Sequence, residues 1–264
     1  VFSELINQAT PMSEFLWRTR VLAHNPNTPE QWAGLCRAMG GVARLDGLLE
    51  GQPASVMKEH GIDDQLSHQI VALLSRGVGL AMASEKWLRS GVWILGAGDA
   101  EYPRGLKALA FEQMAPVLFG YGSVEMLEQP AVAIDSRLAE LDAEDVVRVV
   151  DAMAVSAVGL LDLSPSRNAI MSYLYRGGQA IGVTYKDLVG YGSAANVREA
   201  IMKGTMTIVS SRPPGQEDRR PPVYEALIVE ALSDPSLTEQ LLGNDETHSP
   251  EQSGPSNQQL DFDF

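Results

Sequence analysis

A chain of 264 residues with 45% apolar composition can bury a real core, as one large domain or two small ones. Its one cysteine, Cys36, excludes an internal disulfide framework and any cysteine-based zinc cluster. No run of about 18 apolar residues occurs, so no membrane span is expected. The formal charge of −14 argues against a nucleic-acid binder, yet its distribution counts for more than its sum. Eleven acidic residues face two basic ones from Gln216 onward, so this stretch supplies nine of the fourteen excess negatives and the rest is close to neutral. The sequence opens at Val1 with neither a basic nor an apolar leader pattern, so a cytoplasmic location is expected.

Residues 1–90 read as short helices with apolar spacings of three and four: Glu4–Gln8, Ser13–Ala23, Pro29–Met39, Gly41–Leu49, Pro53–His60, Asp63–Gly77 and Leu80–Ser90. Thr28-Pro29-Glu30-Gln31 is a helix start, with Thr as cap, Pro in the first turn and Gln three residues after the cap. Cys36 falls in this helical pattern and is expected as a buried structural thiol. His24, His60, His68 and His248 are scattered without metal-ligand spacing.

Gly91–Leu95 reads as a strand, followed by a loop in which Asp99, Tyr102 and Pro103 set the path toward Leu106. Gly96-Ala97-Gly98 lacks the third glycine and following helix of a phosphate loop. Ala115 to Gly122 is a second strand closed by glycines. Then Ala131–Ile134, Ala157–Leu163, Gln179–Thr184 and Thr205–Ser210 alternate as strands with helical segments such as Ala143–Met153. That alternation predicts a Rossmann-like α/β core, a parallel sheet covered on both faces.

Open parallel sheets bind ligands beyond the carboxyl ends of their strands. The residues there are Asp135-Ser136-Arg137, Ser164-Pro165-Ser166-Arg167, Tyr185-Lys186 and Ser211-Arg212. Three of these sets join a hydroxyl to an Arg and the fourth offers Lys186, which is donor chemistry suited to an oxyanion. The bland alternative is that exposed strand ends are polar. Past Gly215, Val223–Leu232 is a strongly apolar helix pattern expected to pack on the core or on a partner, with one or two more turns over Ser236–Leu242. Gly243–Gln259 is polar and acidic and predicts disorder. The chain ends Leu260-Asp261-Phe262-Asp263-Phe264, an apolar and acidic tip that suits either a basic, hydrophobic pocket of another protein or a solubilising end.

"GVWILGAGDAEYPRGLKAL", "APVLFGYGSVEML" and "VAIDSR", behind a helical module, resemble the DprA/Smf family of DNA-processing proteins. The resemblance runs from about Leu16 to Gly215. It implies a SAM-like helical domain over residues 1–90 and a DprA-like Rossmann domain over 91–215, to which the sequence adds a helical extension over 216–242 and an acidic tail over 243–264. It also implies binding of single-stranded DNA and loading of the recombinase RecA. Ser136-Arg137 matches the family's DNA-contacting Ser-Arg. The departures are that Asp135 stands where the family has glycine, that Ser164 to Asn168 replaces a glycine-rich turn, and that the later Arg-Asn-Arg segment has no counterpart.

No nucleophile–base signature, metal set or cofactor motif occurs, so no catalysis and no cofactor is expected. Two readings stay open. In one, the protein binds single-stranded DNA through Ser136, Arg137, Ser164, Ser166, Arg167 and Lys186, with a recombinase as partner. In the other, which the replaced glycine turns, the missing Arg-Asn-Arg segment and the acidic tail favour, it resembles a DprA-like regulatory subunit, such as the antitoxin of a two-gene anti-phage module restraining a phosphoribosyltransferase-like toxin. There Leu227 and the tip Leu260, Asp261, Phe262, Asp263 and Phe264 would meet the partner. Both readings leave room for a homo-oligomer.

Overall fold

The computed structural model describes residues 11–21, 23, 28–49, 51–133, 151, 159–163, 174–184, 187–215 and 223–242. The first part is helical: α1 (Pro11–Arg20), α2 (Pro29–Met39), a 3-10 helix (Val42–Leu48), α3 (Pro53–Glu59), α4 (Asp64–Leu74) and α5 (Gly77–Arg89). The capping box read at Thr28 is present. Gln31 N–H donates to Thr28 Oγ1 at 3.2 Å and Thr28 N–H to Gln31 Oε1 at 2.9 Å. The same helix ends in a left-handed turn at Gly40, φ 79°. The Gly40 and Gly41 amides return to the carbonyls of Arg37 and Cys36, which satisfies the last orphan acceptors.

The expected helix over Gly41–Leu49 is a 3-10 helix. The expected Asp63–Gly77 helix stops at Leu74, and α5 begins three residues later at Gly77. Phe15 and Leu16 of α1 are fully buried, and α1 lies against the 3-10 helix, α4, α5 and the first two strands. Trp87 of α5 meets the ring of Phe119 edge to face, with centroids 5.6 Å apart. One apolar core therefore runs without a break from the helices into the sheet.

The strands are β1 (Trp93–Gly96), β2 (Val117–Tyr121), β3 (Ala131–Ala133), β4 (Gly159–Leu163), β5 (Gln179–Val183) and β6 (Met206–Ser210). They form one six-stranded sheet in the order β1-β2-β6-β5-β4-β3. β3 to β6 are parallel, as their alternation with helical segments predicts. The sheet as a whole is mixed, because β2 is antiparallel to both β1 and β6. The cause is the segment between β1 and β2, which carries α6 (Arg104–Lys107) and closes back on itself. Ala97 N–H donates to Pro116 O at 3.0 Å, and the buried Tyr102 hydroxyl donates to Ala115 O, so β2 returns beside β1. The four parallel strands also follow one another in sequence order across the sheet. A doubly wound sheet reverses direction at a switch point; the described strands contain no such reversal.

After β5 come α7 (Leu188–Gly192) and α8 (Ala195–Met202); after β6 come α9 (Val223–Leu232) and α10 (Pro235–Leu242). Of the two destinations open to the apolar helix, α9 takes the core. It packs across β3, β4 and β5 and against α6, with Ile228 fully buried. The junction after it closes the β3 edge: Asp234 N–H donates to Ala131 O at 2.8 Å and Ala133 N–H to Ser233 Oγ at 3.4 Å. An edge strand so covered offers few groups for pairing with another chain.

The contact between α6 and α9 depends on Gly105. A Cβ there would lie 2.2 Å from the Ala231 carbonyl oxygen, a backbone atom that cannot swing aside. Gly105→Ala is expected to lower stability by about 1–3 kcal/mol, as overpacking does. Gly34→Ala, where the new Cβ meets nothing within 4 Å inside α2, is expected to be neutral or to add up to about 1 kcal/mol. Urea unfolding checks both, and an unchanged midpoint for Gly105→Ala would rule out the close approach.

Candidate functional site

The carboxyl ends of β3, β4, β5 and β6 share one edge of the sheet. β1 is antiparallel to β2, as β6 is, so Gly96 ends at that edge too. Three described turns leave this edge: Gly96–Asp99 after β1, Thr184 and Asp187–Gly190 after β5, and Ser211–Gly215 after β6. In each, donors that could face an anion are taken by a carboxylate of the chain itself.

In the first turn, Gly96 N–H donates to Asp99 Oδ2 at 2.7 Å. Lys107 Nζ, the nearby cation, donates to the Asp99 carbonyl at 2.7 Å. The GAGD stretch is thus a self-closed turn, in keeping with its missing third glycine. Asp99, Tyr102 and Pro103, the residues that give the family resemblance its specificity, are buried and structural. Burial drives the Tyr102 hydroxyl well above the ordinary tyrosine value.

In the second turn, Asp187 caps the start of α7. Its carboxylate accepts from Val189 N–H at 3.1 Å and Gly190 N–H at 3.2 Å, and from Gly215 N–H at 3.0 Å in the turn after β6. One side chain thereby ties two adjacent strand-end turns together. Tyr121 at the end of β2 lies against Gly192 of α7, and its hydroxyl is raised by burial and then by the charge of Asp187.

In the third, Ser211 Oγ donates to Glu225 Oε1 at 2.6 Å and Arg212 Nε to the same oxygen at 3.2 Å. The pair is buried, with side-chain exposures of 10% for Arg212 and 1% for Glu225. A buried pair of this kind gains little over an apolar pair of the same shape. Sequence reading found Ser211-Arg212 and missed the acid that answers them. Glu225 is the first acid of an apolar helix, which is the signal available, and its pairing is a tertiary fact.

Asp135, Ser136, Arg137, Ser164, Ser166, Arg167, Lys186 and the tip Leu260, Asp261, Phe262, Asp263 and Phe264 lie outside the described residues. Leu227 is half-buried on α9, while Ile228 and Leu232 hold the helix down. Cys36 is fully buried, and burial pushes its thiol up to about 12, leaving no thiolate for chemistry near neutral pH. His60 and His68 are exposed, and among the described residues no group of three or more His, Cys, Asp or Glu could hold a metal ion. Among them too, no single helix is long and apolar enough to cross a membrane.

The X-ray structure of DNA processing protein A (DprA) from Streptococcus pneumoniae resembles this chain with a TM-score of 0.57. The match covers 85% of this chain and 76% of that one at 16% sequence identity. The fold is DprA-like. No protein-family model and no curated protein matches the sequence. The DprA-like fold thus spans most of the chain.

Asp187→Ala, which orphans three backbone amides, is expected to cost about 1–2 kcal/mol, the usual loss for a helix cap. Asp187→Asn keeps an acceptor and is expected to cost less. Chemical denaturation of the two variants checks this; an Ala variant as stable as the parent would mean that the carboxylate does not hold the two turns together.

Proposed function

We propose that this protein is a non-catalytic, DprA-like DNA-processing protein that binds single-stranded DNA and passes its effect to a protein partner. The observation that carries the reading is the DprA-like fold over most of the chain. Ser136 and Arg137, just past β3, with Ser164, Ser166 and Arg167 past β4 and Lys186 past β5, supply the phosphate donors. They follow parallel strands whose carboxyl ends share one edge, where such sheets take ligands. In this reading the helical part corresponds to the SAM-like module, the sheet to a shortened Rossmann domain, the partner is a recombinase, and the setting is cytoplasmic.

A second reading is favoured by the self-closed turns and by the acidic excess after Gln216: a DprA-like regulator, such as the antitoxin of a phosphoribosyltransferase-like toxin in an anti-phage module. Asp99, Asp187 and Glu225 already occupy donors at three described turns, which suits a protein that has traded ligand binding for protein contact.

Fluorescence anisotropy with an oligo-dT strand across a salt series separates the two. The first reading expects binding that Arg137→Ala with Arg167→Ala weakens, and a log–log salt slope flattened by about 0.7 for each phosphate left without its cation. No binding by the unaltered protein at low salt would overturn it. The second reading expects deletion of Leu260–Phe264 to leave thermal stability unchanged while weakening capture of the partner, since two phenylalanines and two carboxylates suit a basic, apolar pocket.

A further inference from the structure

The helix α5 is buried on one face and apolar on the other. Leu80, Ser84 and Trp87 turn to the core. The positions opposite, at helical spacings of four, four and three, are Val78, Met82, Lys86 and Arg89. A surface helix ordinarily puts polar side chains there. Here Val78 is 80% exposed and Met82 68%, and the exposed Gly79 beside them leaves open space over the backbone. Among the described residues, the other large exposed apolar side chains, Tyr175, Val189 and Met202, are not paired on one helix.

The size and charge of this stripe select its occupant. Two large side chains and a glycine fall far short of the roughly 800 Å² that each partner brings to a stable interface, so a short segment fits better than a second folded copy. Val78 and Met82 are about 6 Å apart along the helix. Alternate side chains of an extended segment are about 6.6–6.8 Å apart, so two rings two residues apart can rest one on each. A ring against a Met thioether is a favourable contact. Beyond Met82 the stripe turns cationic: Arg89 pairs with Glu85, while the exposed Lys86 forms no ion pair with a described residue. The occupant is therefore a short segment that alternates large apolar side chains with acids. The chain carries one in Leu260-Asp261-Phe262-Asp263-Phe264. Seventeen residues, 243–259, separate it from the end of α10. Stretched out, they span up to about 56 Å. Because α10 lies against β3 and α5 against β1, the leash must cross a six-stranded sheet of about 24 Å and follow α5 for at most about 20 Å. The segment reaches the stripe.

We propose that the outward face of α5 is the docking site of the chain's own segment Leu260–Phe264, with Phe262 and Phe264 resting on Val78 and Met82 and an aspartate meeting Lys86. The proposal stands apart from the DNA reading. Where a partner takes the same tip, as in the second reading, that partner competes with α5.

The test is paramagnetic relaxation in the full chain, with no DNA or partner present. A nitroxide is attached to Gln259→Cys, Cys36 being buried and out of its reach, and the methionine methyls carry carbon-13. Met82 and Met202 are comparably exposed, so Met202 reports chance encounters with the label. The relaxation enhancement is expected to be severalfold larger at Met82 than at Met202. It is expected to fall to the Met202 level in Phe262→Ser with Phe264→Ser, a change confined to the tip, and to shrink in Lys86→Glu and as salt rises. Equal enhancement at the two methyls overturns the proposal and leaves the α5 face to another protein. So does an enhancement at Met82 that survives loss of both phenylalanines. Nitroxide-bearing chains without carbon-13, mixed with carbon-13 chains without nitroxide, are expected to leave Met82 unbroadened; broadening there assigns the face to a second copy and overturns the proposal too.

Discussion

The seating of α9 across β3, β4 and β5 is the constraint on which the rest of the molecule depends. Ile228 is fully buried, and burying one such side chain contributes about 1.5–3 kcal/mol. The helix comes close enough to α6 that only a glycine fits at position 105. At its start Glu225 neutralises the buried Arg212, and just past its end Asp234 and Ser233 close the β3 edge. One ten-residue helix and the two residues after it thus cover β3, β4 and β5, satisfy the edge strand and supply an acid to the turn after β6.

That arrangement bears directly on function. A ligand approaching the strand ends meets turns whose amides and cations already have acceptors: Asp99 for Gly96, Asp187 for three amides, Glu225 for Ser211 and Arg212.

Much of the fold was legible in the residues. The Thr28–Gln31 box announced α2, because both partners lie within one turn and local sequence is all the motif needs. The six strands stand where their apolar runs place them, and Asp99, Tyr102 and Pro103 fix the loop as their types suggest. The direction of β2 was not legible, since an apolar run carries no sign of which way it enters a sheet. Nor was the hydrogen bond from Tyr102 to Ala115 O, which helps bring β2 back beside β1. The 3-10 helix at Val42–Leu48 differs from an α-helix by one residue of hydrogen-bond spacing, too small a difference for apolar periodicity to resolve. At the candidate site the donors could be named from their place after strands. Their acceptors could not, because Glu225 reaches Arg212 across thirteen residues of chain, by tertiary contact alone.

Cooperative urea unfolding of the chain cut after Gly215, set beside the chain cut after Leu242, tests most directly whether α9 belongs to the core. The chain ending at Leu242 is expected to unfold in one transition close to that of the full-length protein. Removing α9 and α10 uncovers β3, β4 and β5 and takes Glu225 away from Arg212, so the chain ending at Gly215 is expected to lose its cooperative transition. The same midpoint and slope for both chains would contradict the account and make α9 an appendage of an already complete fold.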